Sequence, residues 1–474
     1  AAAGKSKTMF FRLRGNFPRT FFQGRPEPVP FALHTKPHRE AGTKYMADYD
    51  AIVVGAGLAG STAAYCMAKE GLSVLILERG DTAGSKNVTG GRLYGHSLEK
   101  VIPGFAKEAP IERTVTREVI SMLTADSCFN IDFHSTKFAG SPSSASYTVL
   151  RAEFDAWLTG KAEEAGCDVV CPARVDSLLK ENGKVVGVVA GDDELTADVV
   201  ILADGVNSLL AQKEGLKKEL SPHQVAVGAK QIIELPENVI NDRFCLNKGE
   251  GVARLLAGKP TNGMVGGGFI YTNKESLCVG LVVTVADIMK SPQRLPDMLE
   301  AFTQHPSIKP LLEGGKLAEY SAHLVPEGGL AMLPTLVADN LLVTGDAAGL
   351  CINLGFTVRG MDFAIASGEM AARTVIEAKA RNDFSAAGLA GYRKRLDESF
   401  VMKDLQTHKN APDFIEHTTR VYNEYPALVE RIFLDMFRVN GTPSVRMLKK
   451  VFPHLRQVGF LNLMKDGIKG MGAI

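Results

Sequence analysis

Residues Gly55-Ala56-Gly57-Leu58-Ala59-Gly60 have the types and spacing of a turn that seats a pyrophosphate. The apolar run Tyr49–Val54 precedes them, and Glu78 lies 18 positions after Gly60 at the end of a second apolar run. In that setting each glycine has its own task. Gly55 permits a tight turn, Gly57 lets the backbone approach the pyrophosphate, and Gly60 allows close helix–sheet packing. The helix after the turn presents unpaired N–H groups and partial positive charge to the phosphates. Glu78 is expected to accept hydrogen bonds from ribose hydroxyls. An acid there disfavours a 2′-phosphate, and so NADP. The alternative is a structural glycine turn with no ligand. The turn alone does not separate FAD from NAD.

These residues need a strand–helix–strand unit to position them. Residues 49–54 and 73–78 read as strands and 61–70 as the helix between them. Buried parallel strands appear as such near-continuous apolar runs. A Gly-, Ser- and Asn-rich loop spans 80–95. Residues 147–166 give a strand end and an amphipathic helix, followed by strand-like segments at 168–180, 184–190 and 194–203. Residues 223–330 alternate strands with Gly-rich turns, which predicts an antiparallel sheet covering a ligand. A strand running into Gly345-Asp346 and a long helix at 358–380 return to the first pattern. The expected organisation is a discontinuous nucleotide domain (46–222 and 331–384), a β lobe (223–330) and a helical C-terminal region (385–474).

Composition narrows the function. A net charge of +1 gives no global field for nucleic acid. The seven cysteines are scattered, with no Cys-x-x-Cys pair, so neither a zinc knuckle nor an iron–sulfur cluster is expected, and reduced thiols suit an intracellular compartment. No apolar run reaches the length of a spanning helix. Residues 1–45 are basic, with Glu27 and Glu40 as their only acids. They read either as a transit-like peptide or, the preferred reading, as sequence upstream of a start at Met46. From Arg438 onward Asp466 is the only acid among seven Lys and Arg, with apolar residues interleaved. Such a stretch suits an anionic membrane surface, a partner subunit, or packing on its own core.

Three segments in order carry a resemblance. With the Gly55–Gly60 turn, Ala203-Asp204-Gly205 plus Asn207-Ser208, and Gly345-Asp346-Ala347-Ala348-Gly349, resemble the fingerprints of the FAD-dependent hydroxylase and reductase superfamily. The fold this implies is α/β: a Rossmann-type, glutathione-reductase-like FAD core of the hydroxylase type, an antiparallel β-sheet substrate lobe and a helical C-terminal region. Asp346 then holds the ribityl chain or ribose. The helix near Val358 points its N-terminus at the flavin pyrimidine. No second G-x-G-x-x-G is present for a nicotinamide domain.

Residues 84–94 (Gly-Ser-Lys-Asn-Val-Thr-Gly-Gly-Arg-Leu-Tyr) resemble the flavin-proximal loop of the FixC proteins, relatives of electron-transfer-flavoprotein:quinone oxidoreductases. Residues 320–330 resemble the segment before their third fingerprint. The resemblance runs from about Ala47 to the C-terminus. It implies FAD contacts from Gly55, Ala56, Gly57, Gly60, Glu78, Arg79, Lys86, Asn87, Gly90, Gly91, Arg92, Asp204, Gly205, Gly345, Asp346 and Asn353. His323 is a candidate at a quinone site, with a structural role as its plainer reading. The fused quinone oxidoreductases carry four cluster cysteines near their C-terminus, but here Cys351 is the last cysteine. The resemblance therefore implies a separate FixX-like iron–sulfur subunit. It also implies electrons from FixA–FixB-type electron-transfer flavoprotein subunits, a quinone acceptor, and a cytoplasmic location with peripheral contact on the inner face of a bacterial membrane. The resemblance implies service to nitrogen fixation, where a FixABCX-type complex bifurcates electrons, or to carnitine-type anaerobic metabolism. The other readings are a geranylgeranyl-type prenyl-lipid reductase, an NAD(P)H-dependent aromatic hydroxylase, and a scaffold with redox-silent FAD.

Overall fold

The computed structural model describes residues 47–85 and 91–474. The basic segment 1–45 and the expected start at Met46 lie outside the described residues, as do Lys86, Asn87, Val88, Thr89 and Gly90 of the expected flavin loop.

The apolar run Tyr49–Val54 is the central strand of a parallel sheet. It pairs with Val74–Leu77 on one side and Asp193–Leu202 on the other. Asp168–Val170 and Leu341–Val343 extend the parallel sheet outward. Segment 168–180 is therefore not one strand. It divides into Asp168–Val170 and Ser177–Glu181, the latter pairing antiparallel with Lys184–Ala190. The first helix is Leu58–Lys69, three residues earlier at its start than the apolar pattern predicts, with Gly57 as its N-cap. Gly57 is extended there, which releases the chain into helix at once.

Close packing comes from small residues. A Cβ on Gly60 would lie 2.0 Å from the Gly55 carbonyl oxygen, and one on Gly368 would lie 2.3 Å from that of Ala59. Gly368 belongs to the long helix Met361–Arg381, so the two helices cross in backbone contact. The expected consequence of Gly368→Ala is a loss of about 1–3 kcal/mol from overpacking, read as a lower thermal midpoint by circular dichroism. An unchanged midpoint would mean that the helices are not in contact.

The second sheet runs in the order 316–326, 225–234, 276–284, 266–272, 250–258, 111–123, 146–149, 92–94, with Cys128–His134 added to 111–123. It corrects the expected domain division. Strands at 92–149, assigned by sequence to the nucleotide domain, belong to the lobe sheet. The physical reason is one parallel pairing, Ile111–Leu123 with Glu250–Gly258, which no local pattern announces. The other pairings in this sheet are antiparallel, as expected for 223–330. The lobe has its own core, with Ile270, Leu277, Val279, Leu281, Leu299 and Ile308 fully enclosed. Buried Arg113 pins it, donating to Asn241 Oδ1 and to the carbonyls of Asn273, Glu250 and Lys274.

Residues beyond 385 are helical, as expected. The last helix, Phe460–Ala473, is tied down through buried Asp466, which accepts from Arg420 Nε and Nη2 (both 2.7 Å) and Tyr425 Oη (2.6 Å). Those bonds, Arg420's above all, hold the Asp466 carboxyl below its ordinary 3.8. The stability they add is thus present above that value and lost as pH falls through the lowered one. At neutral pH, Asp466→Asn is expected to cost about 2 kcal/mol, read as faster hydrogen exchange in the last helix. No helix among the described residues is long and apolar enough to cross a membrane.

Candidate functional site

The two sheets enclose a cavity of about 890 Å³. Its size is that of a large cofactor or ligand site. Gly55 and Gly57 at the C-terminal end of the central strand form one wall, with Glu78, Arg79, Asp204, Gly205 and Asn207 beside them. Gly55 has φ +103°, and a Cβ there would lie 2.5 Å from the Ala203 carbonyl oxygen. Gly57 differs: a Cβ there would meet no atom within 4 Å. The fold itself does not need a glycine at 57, but a ligand lying against the backbone does.

The structure brings ten of the expected residues to the cavity wall: Gly55, Gly57, Glu78, Arg79, Arg92, Asp204, Gly205, Asp346, Asn353 and His323. Ala56, Gly60, Gly91 and Gly345 shape that wall without lining it. Ala56 is fully buried and its N–H donates to Glu78 Oε2 at 2.9 Å. Glu78 Oε1 accepts from the Gly80 N–H at 2.6 Å. The carboxylate expected on a ribose thus also fastens the glycine turn. A Cβ on Gly91 would meet the Tyr271 ring at 2.9 Å.

The second and third fingerprints meet through a residue that sequence reading missed. Lys217 is buried, and its ammonium donates to the carbonyls of Val206 and Ala347, both at 2.9 Å. Burial pushes its pKa down. It staples the turn after Asp204 to the turn Gly345–Ala348. Asp204 accepts from Ser208 Oγ at 3.2 Å, and burial pushes its carboxyl up. Asp346 is half-buried, and desolvation also raises its carboxyl, against the pull of Arg151, His323 and Lys217. It has no side-chain hydrogen bond among the described residues. A carboxyl so placed fits a hydroxyl-bearing chain that would lie beside it.

Arg92 runs under the lobe. Its guanidinium pairs with Glu118, donates to Ser146 Oγ at 3.0 Å, and stacks 4.6 Å from the centre of the Tyr94 ring. Phe269 and Tyr271 stack at 5.3 Å on the strand Gly266–Thr272 of the same sheet. Residues 358–359 are not the start of the long helix. They form a short ladder with Ile352–Asn353, and the helix begins at Met361. Arg359 lines the cavity and donates to buried Asp362 through Nε and Nη2, at 2.8 and 2.6 Å.

The far end of the cavity is formed by Gly266, Gly267 and Gly268, with His323, Glu327, Phe414, Ile415 and Tyr422. Glu327 was not among the residues expected at the site. It accepts from Asn353 Nδ2 at 3.1 Å, and burial raises its carboxyl to about 7. His323 Nδ1 is engaged with the Leu324 carbonyl. No cluster of His, Cys, Asp and Glu able to hold a metal occurs among the described residues. The donor set is that of a nucleotide site: glycine backbone, a helix N-terminus, and carboxylates placed for hydroxyls.

Comparison with known proteins agrees with that chemistry. The family description "ETF-QO/FixC family C-terminal domain" matches residues 411–474, and "FAD dependent oxidoreductase" descriptions match 50–215 and 143–374. The chain is 54% identical to "Probable electron transfer flavoprotein-quinone oxidoreductase YdiS" of Escherichia coli (strain K12) over 90% of its own length and 99% of the relative's. It is 52% identical to "Protein FixC" of the same organism, over 89% and 98%. A geranylgeranyl bacteriochlorophyll reductase-like protein from Thermoplasma acidophilum shares the fold, with TM-score 0.66 at 24% identity, over 89% of this chain and 99% of that one. The chain is an FAD-dependent oxidoreductase and belongs to the FixC/electron transfer flavoprotein-quinone oxidoreductase family.

Proposed function

We propose that this protein passes electrons from an electron-transfer flavoprotein to a quinone, as the FAD subunit of a FixABCX-type complex. The observation that carries this reading is the cavity shared by the FAD-type wall and a far end that carries Phe414, Ile415 and Val421. FAD takes two electrons and can release them singly, so it joins a flavoprotein donor to a quinone. The chain's own residues do the rest. The Leu58–Lys69 N-terminus and Gly57 seat the pyrophosphate, Glu78 and Asp346 take ribose and ribityl hydroxyls, and Arg92 and Asn353 border the flavin. Lys86, Asn87, Gly90 and Gly91 belong to the same proposed contact set. The lobe keeps bulk water from the reacting edge.

Access for a lipid-soluble acceptor supports the same reading. Phe414, Ile415 and Val421 of the C-terminal region line the far end. On the helices beyond them, Phe437, Leu448, Leu461, Ile468 and Met471 are exposed. Lys449, Lys450, Lys465 and Lys469 lie among them. An exposed apolar surface carrying cations suits an anionic membrane face. In this reading a FixX-like subunit would supply the iron–sulfur relay.

Purification of the chain from its native host under gentle conditions tests the assembly. The expected result is co-elution with two flavoprotein subunits and a small subunit, and a visible spectrum of flavin plus iron–sulfur cluster. Elution alone, with rapid oxidation of NAD(P)H on addition of a phenol, would instead support the hydroxylase reading.

A further inference from the structure

Glu327 follows the strand Lys316–Pro326 and lines the far end of the cavity. Its backbone is fixed, since its N–H donates to the Gln224 carbonyl at 2.8 Å. One carboxyl oxygen accepts from Asn353 Nδ2 at 3.1 Å. The other has no hydrogen-bond partner among the described residues. No cation pairs with the group: its neighbours are the Cys351 thiol, which donates to the Pro326 carbonyl, and Tyr422. A carboxyl with one amide partner and one open oxygen, aimed into a cavity, is poorly explained as a structural tie. Asn353 alone would be satisfied by any acceptor, glutamine included.

Resting on the proposed quinone reduction, we propose that Glu327 is the proton donor to the acceptor in this cavity. Converting a quinone to its quinol takes two electrons and two protons. FAD, when bound and reduced, would supply both electrons and one proton. The second proton leaves the Glu327 carboxyl: its O–H bond breaks as an O–H bond forms on a quinone oxygen. The carboxylate left behind regains its proton from water at the cavity mouth, where His223 pairs with Glu416 on the same wall. His223 precedes Gln224, whose carbonyl fixes the Glu327 backbone, so the stretch that carries His223 also anchors the donor.

The protonation state suits the task. Burial raises this carboxyl from 4.5 to about 7, so near neutrality it both holds and releases a proton. An ordinary glutamate would already be ionised there. The groups that act on it are the Asn353 amide, the Cys351 thiol and the Tyr422 phenol, none of them a cation.

The test uses FAD-loaded protein reduced by its flavoprotein donor and compares two acceptors. A short-chain quinone needs protons, whereas a ferricyanide-type metal complex takes electrons alone. In E327Q the ratio of quinone to metal-complex turnover is expected to fall about 100-fold, with partial recovery in E327D. A second readout does not depend on turnover. The redox-difference infrared spectrum of the wild type should contain the carbonyl stretch of a protonated carboxyl that changes on reduction, and E327Q should lack it. Should E327Q lose its FAD, E327D and the wild-type infrared band decide. An acceptor ratio unchanged in E327Q, with a wild type that reduces quinone, overturns the role of Glu327 and leaves the proposed function standing. A wild type that passes electrons to the metal complex but never to quinone overturns both.

Discussion

Gly57→Val is expected to abolish FAD binding while leaving the apoprotein folded. The two effects separate because of what surrounds residue 57. Its backbone is extended (φ −79°, ψ −178°), a conformation valine adopts readily. A Cβ there meets no protein atom within 4 Å, so the apoprotein has no reason to unfold. Whatever the side chain strikes must therefore lie in the cavity, where the pyrophosphate would approach the helix N-terminus. Pushing that phosphate away should weaken binding by at least about 100-fold, or about 2.7 kcal/mol. Gly60 is the control. Its Cβ would lie 2.0 Å from the Gly55 carbonyl oxygen, so Gly60→Val should lower the thermal midpoint as well as FAD content. Calorimetric titration with FAD and apoprotein melting read both effects. Wild-type affinity in Gly57→Val would mean that the dinucleotide does not lie on this turn.

The second large effect lies at the other end of the chain. Replacing Leu448, Leu461 and Ile468 together by Glu is expected to abolish binding to anionic vesicles while FAD content stays intact. These side chains are 78%, 75% and 60% exposed, so nothing in the protein's own core is lost. Fully burying such a side chain is worth about 1.5–3 kcal/mol. Losing partial burial of three, together with the negative charge added beside Lys449, Lys465 and Lys469, should weaken vesicle binding by more than about 100-fold. Sedimentation with vesicles containing anionic lipid measures it. Unchanged sedimentation would assign this face to a protein partner. A wild type that does not sediment at all would remove the membrane from the proposed function.

The parts of this site that were legible in sequence are those set by local geometry. Gly55 and Gly60 stem from a backbone that must turn and pack within a few residues, and the apolar runs beside them fix the parallel strands. Asp204 and Asp346, each following a strand in a recognisable turn, both line the cavity. The sheet division was not legible, because Ile111–Leu123 meets Glu250–Gly258 in parallel across a long stretch of chain. Lys217 was invisible for a related reason: its value lies in joining Val206 to Ala347, which only the fold brings together. Glu327 sits in the run Pro326-Glu327-Gly328-Gly329. An acid between a strand end and two glycines was the available signal, but its burial was not readable from spacing. The role expected of Glu78, a ribose acceptor, widens because its carboxylate also fastens the Ala56 and Gly80 amides.

The most direct measurement follows the bound flavin itself in an anaerobic stopped-flow experiment. The FAD-loaded protein is mixed with a reduced electron-transfer flavoprotein from the same host, and then with a quinone. If this FAD links the two, its visible absorbance falls in the first step and returns in the second, with one quinol formed for every two electrons delivered. An FAD that stays oxidised with the cognate donor, or that is reduced but not reoxidised by quinone, would contradict that role.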